Sequence, residues 1–292
     1  MAERTLDAHV LFLEAGAGDR LAVLADAAGV VLPHRFENGA WQALPLPASA
    51  RSAVGQSSLG IFFGRDNRPR LMGHRSDGAS RRMVYLRHRD GVWQDQRSEI
   101  GALAGDTSVL FGVLGDADPE VVCKASGICL LKSRKGWKEL AGSLPETAVV
   151  RTFAGTGYAL TAEGVFAAGD TSFARVGPPA PWRSEVTGFF VDAAGAIAVV
   201  EPGADAVHTL TGPTAAWRTE ASPVAAPRDV MGSPGDRWVG GDGGLVHEEG
   251  GAFARVGDPS WRIARVIATS GGTVAAGPSG VVRVRPVTSS AP

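Results

Sequence analysis

Cysteine is nearly absent: Cys123 and Cys129 are the only two in 292 residues, too few for a scaffold stapled by disulfides. Long apolar runs are missing as well, and none approaches the roughly 20 residues needed to span a bilayer. The N-terminal stretch MAERTLDAHVLFLEAGAGDRLAVLADAAGVV is interrupted by Asp7, Glu14, Asp19, Arg20 and Asp26, so it lacks the continuous apolar core of a secretory leader. Nor is there a long block of like charge: charged residues make up 20% of the chain and its formal net charge is -1. A soluble globular body is expected rather than a disordered tail, in the cytoplasm and away from membranes.

What the chain has in excess is glycine, 39 residues, alongside 18 prolines, in neither a collagen-like nor a low-complexity pattern. Many tight turns are therefore expected, and they recur. Short apolar segments followed by a turn appear as HVLFLEAGAGDRLAVLA, SLGIFFGRDNRPRLMG, SVLFGVLGDADPEVVC, VVRTFAGTGYALT, EVTGFFVDAAGAIAVV, RDVMGSPGDRWVGG and ARVIATSGGTVAAG. A second turn repeats as AAGVV, ASGIC, AEGVF, DGGLV and PSGVV, placing Gly29, Gly127, Gly164, Gly244 and Gly280 where a hairpin needs positive φ. Units two and five depart here and are expected to have longer connections. Six of the seven units close on a segment opened by an aromatic residue: Trp41, Trp93, Trp137, Phe173, Trp217 and Phe253, spaced by 52, 44, 36, 44 and 36 residues. That spacing is the length of one four-stranded propeller blade.

The pattern predicts an all-β, seven-bladed β-propeller occupying residues 1–292 as one domain. Six units carry their own closing strand, and the seventh, from Trp261 to about Val287, ends after its third. The N-terminal AERTLDA has no other assignment, so it is expected to supply the missing outer strand and close the ring, removing two sheet edges. On this scheme FARVG, found at Phe173–Gly177 and Phe253–Gly257, is the outer strand of blades four and six, with Arg175 and Arg255 guarding its edge. The cysteines fall on facing strands of one hairpin, where a thiol pair or a disulfide is open. The stretch DRWVGGDGGLVHEEGGAF resembles the repeat of two-component-regulator-type β-propellers, in which a Trp-rich second strand leads through a Gly-Asp-Gly-Gly turn into the third. That resemblance implies a ligand-sensing or protein-binding platform that performs no chemistry itself.

Catalytic signatures do not emerge. Serines in GQSSLG and GPSGVV lack the G-x-S-x-G spacing of a nucleophile elbow, and G-x-x-x-x-G-K phosphate loops are missing. The six histidines, His9, His34, His74, His88, His208 and His247, form no H-x-H or H-x-x-x-H pair, and no metal or cofactor is expected. Acidic residues mostly occupy turns, where Asp bonds to nearby backbone.

Charge is unevenly distributed, with 15 basic and 9 acidic residues from Arg51 to Lys138. Arg65, Arg68, Arg70, Arg75, Arg81, Arg82, Arg87 and Arg89 crowd one unit, and Lys132, Arg134, Lys135 and Lys138 follow in the next. Such a sector suits an acidic protein partner, or is a solvated outer face whose arginines block edge pairing. Nucleic acid fits poorly, since stacking aromatics do not interleave with it. A second set, Arg151, Arg228, Arg265 and His9, falls at the start of inner strands near one channel mouth and could hold a small anion; alternatively these residues point between blades and pair with aspartates such as Asp229. Finally, Trp182-Arg183 and Trp261-Arg262 lie in loops joining one blade to the next. Trp and Arg are enriched at binding hot spots, although the indole could equally pack between blades. The sequence thus favours a non-catalytic protein-binding platform, with a small-ligand, sugar or anion-binding propeller and a propeller lyase or hydrolase as alternatives.

Overall fold

The computed structural model describes residues 2–53, 57–64, 66–77, 80–98, 110–114, 121–124, 128–133, 136–141, 144–145, 149–153 and 155–284. Among them are seven four-stranded antiparallel sheets, arranged as propeller blades. The innermost strands are His9–Ala15, Ser57–Phe63, Leu110–Leu114, Val149–Phe153, Gly188–Val191, Pro227–Met231 and Arg265–Thr269. The outermost strands of blades one to six are Ala40–Ala43, Val92–Asp95, Gly136–Glu139, Phe173–Val176, Arg218–Ala221 and Ala252–Val256. Ala2–Leu6 is the outermost strand of blade seven, pairing antiparallel with Gly280–Val284 from Ala2 opposite Val284 to Leu6 opposite Val281. The ring therefore closes by joining the chain's two ends in one sheet.

Blade faces are covered by neighbours on both sides, which explains why the second strands of blades one and five, LAVLADA and IAVVE, are near-continuous apolar runs rather than alternating ones. In Leu21–Ala27 the two-residue period of a strand sends Leu21, Val23 and Ala25 into the interface with blade seven, against Ile267, Val274 and Val281. Ala22 and Leu24 face the other way, against Ile61, Leu71 and Val84 of blade two. The fifth blade repeats the division: Ile197 and Val199 meet Leu160 and Val165, while Ala198 and Val200 meet Val230, Val239 and Val246. Each such side chain fully removed from water contributes about 1.5–3 kcal/mol, so the interfaces, more than the ladders, hold the ring together.

Turns behave as the glycine pattern requires: Gly29, Gly164, Gly244 and Gly280 have positive φ. In blade two the extra length extends strands Pro69–Asp77 and Ser80–Arg89 rather than the connection between them. In blade five it forms a short 3-10 turn at Pro202–Ala204. Cys123 and Cys129 stand directly opposite each other in blade three and are joined as a disulfide. Arg65, Gly127, Arg134, Lys135 and Val287, and the side chain of Arg81, lie outside the described residues. Among the described residues no helix is long and apolar enough to cross a membrane.

Strand direction gives the ring two different faces. Turns between the first and second strands lie on one face and bond blade to blade: Ser270 Oγ donates to Asp19 (2.6 Å), Asn67 donates to the Ala17 carbonyl (2.9 Å), and Ser233 Oγ donates to Asp192 (2.8 Å). The opposite face carries the blade-joining loops, including both Trp-Arg pairs.

Candidate functional site

The inner strands converge on the axis, and there residues far apart in sequence meet. Arg151 of blade four donates through Nη1 to Asp229 Oδ1 of blade six (2.6 Å) and to the Phe189 carbonyl of blade five (2.7 Å). Arg265 of blade seven donates to Asp229 Oδ2 (3.2 Å), which also accepts the backbone N–H of Val266 (2.8 Å). Asp229 is wholly buried. Its approach depends on Gly188, where a Cβ would overlap the Asp229 carboxylate and the Arg228 carbonyl. Glu14 of blade one completes the group. Burial pushes its carboxyl above the usual range, opposed by the charges of Arg265 and Arg151. Burial, with the like charge of Arg265, lowers Arg151 to about 10 against the pull of Asp229 and Glu14, so it stays a cation at neutral pH.

The other two members of this predicted set stand apart from the axial group. Arg228 precedes Asp229 in the strand and turns outward, 3.9 Å from Asp242 Oδ2 in the turn of blade six. Arg262 Nε approaches the same carboxylate at 3.5 Å, so Arg228 and Arg262 flank Asp242 on the loop face. His9, at the start of its strand, is exposed.

The two Trp-Arg pairs share one construction. Trp182 is 6% exposed, packs edge-on against Trp217, and donates its indole N–H to the Thr161 carbonyl at 3.1 Å. The next residue, Arg183, has its backbone N–H held by Glu201 Oε1 (2.9 Å) and its side chain in solvent. Trp261 packs against Gly257 and the core between blades six and seven. There the Arg262 N–H is held by Ser279 Oγ (2.8 Å) and its side chain is 59% exposed. In each case the indole anchors the loop and the adjacent blade fixes the arginine's backbone.

Glu201 is the hub of the first construction. It also accepts from the Ser184 N–H and Oγ, both at 2.7 Å, and its Oε2 lies 2.9 Å from His208 Nε2. Burial alone would raise its pKa, but these hydrogen bonds, that of the Ser184 hydroxyl foremost, hold it down at about 2. His208 Nδ1 lies 2.9 Å from Thr219 Oγ1, giving a hydroxyl, imidazole and carboxylate in series. The imidazole is 3% exposed and out of a substrate's reach, so the series braces the loop. Among the described residues no three His, Cys, Asp or Glu side chains gather as metal ligands.

In the basic sector, Arg87 is tied to Asp66 at 3.0 and 2.5 Å, whereas Arg82 is exposed and stands opposite Arg75 across the ladder. Sequence reasoning missed Glu14, Glu201 and Asp242 as site residues. The signal for the first two was an acid ending an apolar strand, as in VLFLEA and IAVVE.

No protein family and no curated protein matches this sequence. Among solved structures, a catalytically inactive virginiamycin B lyase from Staphylococcus aureus with quinupristin superposes with TM-score 0.71 at 10% identity, covering 98% of this chain and 99% of that one. YCF48 from Cyanidioschyzon merolae gives TM-score 0.65 at 16% identity over 98% and 99%. YCF48 bound to D1 peptide gives 0.65 at 13% over 98% and 96%. At these identities the likeness establishes the seven-bladed fold, shared by an enzyme and by a peptide-binding protein.

Proposed function

We propose that this chain is a non-catalytic platform that binds another protein through the ring face carrying the blade-joining loops. The observation that carries the proposal is the matched construction of Arg183 and Arg262: exposed guanidiniums on backbones already fixed by tryptophan anchors and neighbouring blades. A preordered loop loses less freedom on binding, and arginine is among the residues enriched at interface hot spots. Arg228, between them in the order of the blades, adds a third guanidinium, and Asp242 makes the surface mixed in charge. Carboxylates of an acidic protein segment suit the arginine forks, with Arg82 and its neighbours in blade two as an accessory basic sector. That the same fold holds D1 peptide in YCF48, and that the sixth blade resembles the two-component-regulator propeller repeat, both support a platform of this kind. A lyase or hydrolase reading has no comparable support, since the one hydroxyl-imidazole-carboxylate series described above is buried.

The test is site-specific photocrosslinking in cells of origin, with the crosslinking residue at Arg183 or Arg262 on the loop face and at Asn38 on the opposite face. A discrete partner captured from positions 183 and 262, not from 38, and lost on Arg183→Ser with Arg262→Ser, is the expected result. Equal labelling from both faces, or a partner indifferent to the serine changes, would refute the assignment.

A further inference from the structure

On the innermost strand of a closed ring, a side chain can meet solvent only in the axial channel or at its mouths. Leu11 and Phe12 of blade one are 41% and 39% exposed, the only exposed large apolar side chains among the described residues of the inner strands. The ladder explains this: the register of His9–Ala15 shifts between Val10 and Phe12, and the extra residue of such a bulge turns two consecutive side chains to the open side. Phe12 lies along blade two, its ring tip 3.8 Å from where a Cβ on Gly60 would stand. The channel thus has an apolar wall. At strand spacing, Phe12 is separated from Glu14 by roughly 7 Å.

Beside this wall are the axial guanidiniums. Among the described residues only Nη1 of each is engaged: Arg151 with Asp229 and Phe189, Arg265 with Asp229. Their Nε and Nη2 groups have no hydrogen-bond partner among the described residues, and the side chains retain 11% and 21% exposure. Glu14 receives a hydrogen bond from Ala15 N–H (3.3 Å) and has no ion pair among the described residues.

We propose that the axial channel binds one small monocarboxylate with an apolar tail, its carboxylate on the free donors of Arg151 and Arg265 and its tail along Leu11 and Phe12. Charge selects the class. Two guanidiniums and Asp229 leave one positive charge, which either an ionised Glu14 or one ligand carboxylate can neutralise. Burial already disfavours the ionised Glu14, and protonated it becomes a donor to the ligand. The charged groups that act on Glu14 are Arg265 and Arg151, both held by Asp229; the inner strands of blades two, three and five, SSLGIFF, LFGVL and GFFV, contain no ionisable residue. A dianion such as phosphate would exceed the charge available, and a neutral alcohol would leave it unmet.

Calorimetric titration of the full chain with hexanoate, 1-hexanol and inorganic phosphate tests this site independently of the loop face. Hexanoate should bind saturably at one site, with hexanol and phosphate about tenfold weaker or more, the loss expected when a charged hydrogen-bonding group goes unmatched. Arg265→Gln should cost about tenfold. Leu11→Glu, a change at an exposed side chain that places a negative charge in the lumen, should abolish binding and serves where Arg265→Gln fails to fold. No saturable hexanoate binding, equal binding of hexanol, or unchanged affinity in a folded variant would overturn the proposal.

Discussion

Arg151 and Asp229 are 78 residues apart and belong to the fourth and sixth blades, yet Arg151 Nη1 and Asp229 Oδ1 lie 2.6 Å apart. The bond passes over an entire blade, so it ties the ring across its axis rather than sealing one interface. Arg265 shares the same carboxylate, and without Asp229 two cations would face each other with the anion between them gone. Asp229→Asn should therefore destabilise the fold by about 3–5 kcal/mol, the range for breaking a buried ion pair from one side. Urea denaturation followed by tryptophan fluorescence measures this; a change under about 1 kcal/mol would mean the pair is solvated and contributes like a surface bridge.

Glu201 gives a stability term with a defined pH window. Its carboxyl is held at about 2, against an ordinary value of 4.5. A depressed folded value contributes stability that is fully present above about pH 4.5 and is lost as pH falls through the folded value. The size is about 3 kcal/mol. Glu201→Gln should be less stable than the parent at pH 6, and the gap between their urea midpoints should narrow from pH 4 to pH 3. A gap that stays constant over that range would show that the hydrogen bonds do not discriminate the charged form.

The blades were legible because covering both sheet faces forces a repeated apolar pattern, and because the outer strands of blades one to six begin at or beside an aromatic. The site was legible only in part, and the reason is local. Arg151, Arg228 and Arg265 align at the start of three inner strands, but the ladder of blade six shifts register between Pro227 and Asp229. That bulge absorbs Arg228, turns it outward and leaves Asp229 in the axial position. A one-residue slip reverses which face a side chain takes, and nothing in RDVMG announces it. The same holds for Leu11, which sits at the bulge of blade one. The Trp-Arg pairs were found by repetition, whereas Glu201, which holds one of them, carries no local mark beyond ending an apolar run.

Ring closure predicts a specific failure on truncation. Ala2–Leu6 covers the edge of Gly280–Val284, whose Val281 and Val282 are wholly buried, and Thr5 Oγ1 accepts the indole N–H of Trp41 in the first blade (3.2 Å). Deleting residues 2–6 would expose a strand edge beside an apolar surface, a template for pairing between molecules. The shortened chain should form concentration-dependent dimers or larger species in size-exclusion chromatography with light scattering. Adding the peptide AERTLDA in excess should restore the monomer. A truncated chain that remains monomeric with an unchanged unfolding midpoint would show that the closing strand is dispensable.

The disulfide between Cys123 and Cys129 connects the ring to its surroundings. The cysteines are six residues apart and both are buried, so the bond closes a small loop that the entropic model values at about 2 kcal/mol. A reductant should lower the urea midpoint of the parent by an amount matching that loss, and should leave Cys123→Ala with Cys129→Ala unmoved. The bond also reports location, because a reducing cytoplasm keeps such pairs as thiols. Rapid alkylation in intact cells, followed by mass spectrometry, should find both cysteines blocked if the chain resides there. Cysteines protected until reductant is added would place it in an oxidising compartment, contrary to the cytoplasmic location expected from the sequence, and the search for its partner would move there too.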